Sequence, residues 1–305
     1  MRFRQLRVAA GAALLVGIAS GVVADGDLPT RFTNQGSVAN TRHNMTQSTM
    51  TSGGGILMNP FRNDYGEVCV YCHTPHGANS QLPQAPLWNR TFRATTYQTY
   101  DLLGTSSLSQ PVSQPGVNSL TCLSCHDGQI AVDSIINMPG PGKYSAAQET
   151  AQDNNFLNTQ WTNPNGPDAT SHLGMSAPGT GCLACHAPGQ VAGAGATDFT
   201  VMAISTDLRD DHPVGIRYPQ PTVGFDFNEP TRKVGALAYF DVNANQHADS
   251  NEVRLYDTGE GYEVECASCH DPHGVPSGGA GSVFNPTFLR VSNAGSQLCL
   301  TCHVK

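Results

Sequence analysis

The chain has 305 residues, enough for one large domain or two small ones, and it carries a formal net charge of −8. Only 13% of the residues are charged and 7% aromatic, whereas there are 32 glycines and 20 prolines, a composition that favours loops over long helices or wide sheets. The acidic balance argues against nucleic acid and anionic lipid as partners, because both would be repelled.

The first 24 residues have the pattern of a secretory signal peptide. Three arginines precede an apolar run that begins at Val8, and the small residues up to Ala24 form a cleavage site. The run is short and contains several glycines, which makes an uncleaved membrane anchor the weaker alternative. We therefore expect a signal peptide at 1–24 and an exported mature chain, 25–305, without a membrane span.

All ten cysteines lie in CxxC pairs, and a histidine follows each pair directly. CxxCH is the attachment signature of haem c: both thiols reach the vinyl groups on one porphyrin edge, and the adjacent imidazole binds the iron as the proximal ligand. The five motifs predict five covalently bound haems. They are Cys69/Cys72 with His73, Cys122/Cys125 with His126, Cys182/Cys185 with His186, Cys266/Cys269 with His270, and Cys299/Cys302 with His303.

Other uses of paired cysteines explain this pattern less well. A disulfide framework gives no reason for a histidine after every second cysteine. Zinc ribbons need CxxC units in pairs, and five is an odd number. A thioredoxin-like motif occurs once in a domain.

Six histidines remain for the second axial position of the irons. An electron-transfer haem favours two protein ligands, because a six-coordinate iron reorganises little when its redox state changes, and two imidazoles keep the potential low. Five of the six histidines would complete five such bis-His haems, although Met45, Met58, Met138, Met175 or Met202 remain alternatives at one iron. The predicted distal ligands are His43, His76, His172, His212 and His273.

The local sequence supports the role of these histidines as distal iron ligands to different degrees. His76 and His273 occupy matching positions in CHTPHG and CHDPHG, and each is too close to its own proximal histidine to share that iron. His212 is held in extended backbone by the proline that follows it. His43 and His172 lie in polar loops, where a solvated histidine is the alternative.

The sixth histidine, His247, lies in DVNANQHADSNE, which resembles an EF-hand calcium loop. His247 occupies position 7, which uses only the backbone carbonyl. Position 6 is Gln246 instead of the usual glycine, and the flanks do not predict helices, so a polar hairpin loop is the alternative. The candidate calcium residues are Asp241, Asn243, Asn245, His247, Asp249 and Glu252.

The predicted fold is that of a multihaem cytochrome c. We expect mostly irregular structure, with short α-helices at the CxxCH sites, a few β-hairpins and a core built around stacked haems, because the chain has few apolar side chains for its length. Residues 25–305 form one pentahaem domain, and a soft joint near 139–170 separates a two-haem half from a three-haem half.

Several segments resemble the cytochrome c3-related multihaem proteins with doubled CxxCH motifs. They are CVYCHTPHG, APLWNR, CLSCHDG, DHPVG, VECASCHDPHG and LCLTCH. The resemblance implies closely spaced bis-His haems on a fold with little regular structure. Within this group the chain is similar to extracellular cytochromes that polymerise into conductive filaments, or nanowires. A distal histidine there can come from a neighbouring subunit, a role that would fall here on His43.

The sequence therefore favours an electron carrier over an enzyme. Its partners would be redox proteins or extracellular acceptors, or further copies of the chain, in the periplasm or at or outside the cell surface. The alternative is a multihaem reductase of a small oxyanion such as nitrite or hydroxylamine, but the chain lacks the CxxCK motif of the pentahaem nitrite reductases. A structural or sensory haem protein is a third class that no feature demands.

Overall fold

The structure of the protein is a computed structural model. It describes residues 36–45, 65, 67–82, 84–106, 108–138, 174–175, 181–184, 186–189, 200–210, 212–220, 226–275 and 286–304. The signal peptide, the soft joint, Met58, His172 and Cys185 lie outside the described residues. Within the described ranges no helix is long and apolar enough to cross a membrane.

The described helices are short, and the three α-helices among them coincide with attachment motifs. Helix α1 (Val117–His126) contains the second motif, whereas α2 (Cys266–Cys269) and α3 (Gln297–Cys302) contain the paired cysteines of the fourth and fifth motifs and end directly before the motif histidine. The expectation of short helices at the CxxCH sites is confirmed for these motifs. The described 3-10 helices are Val38–Asn40, Tyr100–Leu103, Gly181–Ala184, Thr200–Met202, Pro286–Phe288 and Ala294–Ser296, of which Gly181–Ala184 lies at the third motif.

One antiparallel sheet is the largest regular element in the described part of the chain. Its strand order is β1-β5-β4-β3-β2, so β2 to β5 form a meander and β1 lies on the outer side of β5. The sequence predicted only a few hairpins and not a continuous five-stranded sheet. The strands are β1 Ile216–Arg217, β2 Arg232–Val234, β3 Leu237–Tyr239, β4 Arg254–Asp257 and β5 Tyr262–Val264.

Two connections in the meander follow from local sequence. Val234 pairs with Leu237, which leaves a two-residue turn, and Gly235 adopts the positive φ of +58° that such a turn requires. The longer connection between β3 and β4 is the predicted calcium loop, so this segment is a hairpin loop and is not flanked by helices.

The apolar core is divided into small clusters that adjoin the attachment motifs. Tyr218, Phe240 and Leu255 pack with other residues of the sheet region against Cys302 of the fifth motif. A second cluster includes Tyr71 of the first motif, and a third includes Leu123 of the second. At the first and second motifs, a residue between the paired cysteines thus anchors the motif to the rest of the protein.

Candidate functional site

The CxxCH motifs share one local conformation. The backbone N–H of the motif histidine donates to the carbonyl of the first cysteine, with N–O distances of 2.8 Å at His73, 3.0 Å at His186, 3.1 Å at His270 and 2.9 Å at His303. The motif therefore closes one turn of helix, which orders its thiols and imidazole as a unit.

Three motif imidazoles have the same hydrogen bond on the ring. Nδ1 lies 2.6 Å from a backbone carbonyl oxygen in each case: that of Pro86 for His73, of Met202 for His126 and of Thr287 for His270. Because a carbonyl only accepts, Nδ1 must carry the proton, and Nε2 is left with its lone pair. This is the tautomer that an imidazole uses to bind a metal through Nε2.

Burial also favours the neutral imidazole. It is the largest cause of the lowered pKa of His73, His126 and His270. A neutral ring is the form that binds iron, because a protonated ring has no free lone pair.

The cysteines are available for covalent attachment. Among the described cysteines, those that form no disulfide bond include Cys69, Cys72, Cys122, Cys125, Cys269, Cys299 and Cys302. Burial, followed by the neighbouring Cys125, raises the pKa of Cys72 to about 12, and burial raises that of Cys269 to about 12. Burial therefore keeps these two thiols in the protonated form at neutral pH.

The surface next to the motif histidines also fits a large apolar group. Leu87 is 56% exposed beside Pro86, and Val201 is 64% exposed beside Met202. Val304, which follows His303, is 54% exposed. Exposed apolar side chains at these positions would leave water on binding a flat macrocycle.

Trp88 offers a polar contact at the same place. Its ring lies edge-on to His73 with the centroids 5.4 Å apart. Its indole Nε1 is buried and has no hydrogen-bond partner among the described residues. A carboxylate such as a haem propionate would satisfy this donor, so the residues around the first motif fit haem c.

Two predicted distal ligands lie beside proximal histidines. The ring centroids of His273 and His73 are 6.3 Å apart, and those of His43 and His126 are 6.2 Å apart. His43 packs on Phe288 and points Nδ1 at the carbonyl of Pro272, 3.1 Å away. The arm that carries His43 lies against its own chain here, and its contact with a neighbouring subunit stays a prediction.

The contacts of His76 and His212 with described residues include no motif histidine. Both His76 and His212 are exposed. The Nδ1 of His212 lies 3.1 Å from the carbonyl oxygen of the next residue, Pro213. The sequence treated His76 and His273 as equivalent, but only His273 has a carboxylate beside it: Asp271 Oδ1 lies 2.9 Å from its Nδ1. Among the alternative ligands, Met45 and Met138 pack against the cluster of the first motif.

Buried charged residues that sequence reasoning missed connect the motifs. Arg90 is fully buried and donates to Ser124 in the second motif and to three further carbonyls. Glu265 is 1% exposed and accepts hydrogen bonds from the Gly116 N–H and the Ser119 hydroxyl of α1. No sequence pattern marks either residue, because an isolated charge usually lies on the surface.

The second and fourth motifs are direct neighbours. Helices α1 and α2 contact each other, and Ser119 Oγ accepts from the Cys266 N–H at 2.8 Å. A hydrogen bond with the Cys266 thiol raises the pKa of Cys122 well above its usual value. Two attachment sites that are far apart in sequence therefore meet at their first cysteines.

A family model described as the doubled CXXCH motif matches residues 260–305, the segment with the fourth and fifth motifs. The match supports a multihaem c-type cytochrome. No curated protein matches the chain. The matched segment contains α2, α3 and the turn with His273, so the family finding and the geometry concern the same residues.

The loop 241–252 has an ordered conformation of its own. Asp241, whose side chain is 2% exposed, accepts from the N–H groups of Asn245 and Gln246 at 3.2 and 2.9 Å. Glu252 is fully buried and accepts from the N–H groups of Val242 and Asp249. Gln246, at the position where a calcium loop usually has glycine, adopts a φ of +68°. The tight turn therefore forms although the glycine is absent.

The polar side chains of this loop bind one another. Asn243 and Asn245 donate to Asp249 Oδ2 at 2.8 and 2.7 Å, and these bonds lower the pKa of Asp249. Among the described residues, no three His, Cys, Asp or Glu side chains form a group that could hold a metal ion. Calcium binding therefore stays a prediction.

Proposed function

We propose that this protein transfers electrons through five c-type haems, each with two axial imidazoles. The observation that carries the proposal is the arrangement repeated at the first, second and fourth motifs: paired cysteines next to an imidazole whose Nδ1 is held by a carbonyl and whose Nε2 remains for iron. Haem iron supplies the one-electron chemistry by cycling between its ferrous and ferric forms.

The protein's own residues hold the iron ligands in place. The carbonyls of Pro86, Met202 and Thr287 come from separate segments, and each fixes the orientation of one imidazole. Fixed ligands keep the geometry similar in both redox states, which favours fast transfer, and ligands on both sides of the iron exclude a small-molecule substrate.

We further propose that the protein works outside the cytoplasm, in the periplasm or at or beyond the cell surface. The leader pattern at 1–24 and the acidic charge support export and encounters with cationic redox partners or acceptors. Assembly into a filament rests on the resemblance to nanowire subunits, with closely stacked haems as its expected core. Electron microscopy of the secreted protein distinguishes filaments from a soluble carrier.

The haem count has a direct test in the exported holoprotein. Intact-mass spectrometry should find five added haems, and protein-film voltammetry should find reversible one-electron waves without substrate. A Cys69→Ser/Cys72→Ser double variant should lose one haem, whereas the exposed Ser80→Ala variant should keep all five. A mass without five haems, or a wild-type ferric spectrum with a high-spin iron, would contradict the proposal.

We also propose that the loop 241–252 binds calcium through its carboxylates and amide oxygens. Calcium at about 100 times the dissociation constant should stabilise the holoprotein by about 2.7 kcal/mol, because only the folded loop gathers these oxygens. The check is the urea unfolding midpoint with calcium or EDTA. Asp249→Asn should remove the calcium effect, and the exposed Asp210→Asn outside the loop should retain it. Equal midpoints with calcium and EDTA would refute calcium binding.

A further inference from the structure

Two pairs of imidazoles in this structure have a ring separation that matches ligands on opposite sides of one metal ion. Two rings bound through Nε2 on opposite sides of a metal have centroids about 6.2 Å apart, since the metal–nitrogen bond is about 2.0 Å and Nε2 lies about 1.1 Å from the ring centre. The centroid separations are 6.3 Å for His73 and His273 and 6.2 Å for His43 and His126.

The hydrogen bonds of the four rings agree with this use. Each Nδ1 is close to an oxygen that only accepts: the Pro86 carbonyl for His73, Asp271 for His273, the Met202 carbonyl for His126 and the Pro272 carbonyl for His43. All four rings therefore have Nε2 left for a metal.

The second ring of each pair is held by the turn that follows the fourth motif. Asp271 binds His273, and Arg290 donates to the other carboxylate oxygen of Asp271 at 2.9 Å. Pro272 in the same turn binds His43. One rigid turn, Asp271–His273, therefore places a ligand at the first motif and orients a ligand at the second.

We propose that His273 is the distal axial ligand of the haem iron attached at Cys69/Cys72, opposite His73, and that His43 is the distal ligand of the iron attached at Cys122/Cys125, opposite His126. This assignment rests on the proposed function, because it needs haem at both motifs. It makes the N-terminal arm and the fourth motif part of the first two haem sites within one chain.

The two sites differ in a property that spectroscopy resolves. The planes of His73 and His273 are 8° apart, whereas those of His43 and His126 are 87° apart. Nearly parallel axial imidazoles give low-spin ferric iron a rhombic electron paramagnetic resonance spectrum. Nearly perpendicular imidazoles give a large-gmax spectrum, because the two ring orientations leave the iron dπ orbitals almost degenerate.

The test uses the wild-type holoprotein and its His43→Met and His273→Met variants. The wild type should show both signals. His43→Met should lose the large-gmax signal, His273→Met should lose one equivalent of rhombic signal, and both should gain the near-infrared band and the raised potential of a His/Met haem. The control is Lys233→Met, an exposed residue of β2 outside every motif and both pairs, which should leave the spectrum unchanged.

Each result decides the assignment. A wild-type spectrum without a large-gmax signal overturns the His43 pair, and a His273→Met variant that retains every rhombic equivalent overturns the other. If a methionine variant does not accumulate, the corresponding glycine variant, expressed in the presence of imidazole, replaces it. Dialysis then removes the imidazole and should turn one haem high-spin. A spectrum that stays fully low-spin after dialysis overturns that pair. A protein with five low-spin haems but unchanged variants refutes the pairing alone, whereas a protein without five haems refutes the proposed function.

Discussion

Replacing Arg90 with methionine should lower the free energy of unfolding by about 3–5 kcal/mol. The Arg90 side chain is fully buried, and its N–H donors bind Ser124 Oγ at 3.2 Å and the carbonyls of Ser124, Ala131, Val132 and Ser134 at 2.8–2.9 Å. Methionine fills much of the volume but leaves these acceptors buried without a donor.

The effect should extend to haem attachment, because Arg90 connects the segment after the first motif to the second motif. The neighbouring Asn89 donates from its backbone N–H to the Cys72 carbonyl at 2.8 Å, so a displaced Arg90 would also disturb the first motif. Urea unfolding of the holoprotein, followed by circular dichroism, measures the loss, and intact mass reports the haem count.

Two variants control for volume and charge. Arg90→Lys keeps the charge but has three donors in a different geometry, so it should be destabilised almost as much as Arg90→Met. Arg93→Met removes an exposed arginine nearby and should change the unfolding free energy by less than about 0.5 kcal/mol. Equal stability of the Arg90→Met variant and the wild type would show that the hydrogen-bond network does not hold the two motifs together.

Replacing Glu265 with alanine should cost about 2–4 kcal/mol. The carboxylate accepts from the Gly116 N–H at 3.0 Å and from the Ser119 hydroxyl, and it caps the first turn of α2 in a capping box with Ser268. Alanine removes these bonds together and loosens the contact between the second and fourth motifs. Thermal unfolding of the holoprotein measures the cost, and Glu260→Ala, which removes an exposed carboxylate, is the control.

Glu265→Gln separates the charge of this residue from its shape. Burial raises the pKa of Glu265 from 4.5 to about 7, although the bonds from Ser119 and Gly116 lower it. A carboxyl whose folded-state pKa is raised contributes stability that is fully present below pH 4.5 and is lost as the pH rises through about 7. The difference in unfolding free energy between wild type and Glu265→Gln should therefore depend on pH across this window. A difference that is constant from pH 4.5 to 8 would contradict a raised pKa.

The parts of the fold that could be predicted are those set by short-range geometry. Each CxxCH motif closes a turn through a bond between residues four apart, so the sequence itself marks the helices at Cys122, Cys266 and Cys299. The sheet was not predicted, because strands of two to four residues are too short to show an alternating pattern.

The sequence predicts the parts of the site that are formed by side chains, but not the parts that are formed by backbone carbonyls. The sequence marks His73, His126 and His270, but the carbonyls of Pro86 and Met202 that orient two of these rings carry no residue preference. The pairing of His43 with His126 depends on a fold that brings distant segments together, which one sequence does not reveal.

The contact between α1 and α2 also bears on the direction in which charge would travel. The second and fourth motifs meet there, while the third lies elsewhere in the sequence between them. Haems bound at the second and fourth motifs would therefore be neighbours in space, although the third motif lies between them in the sequence. The order of haems along the path of electron transfer would then differ from the order of their motifs in the sequence. A longer segment between the second and fourth motifs would leave electron transfer between those two haems unchanged.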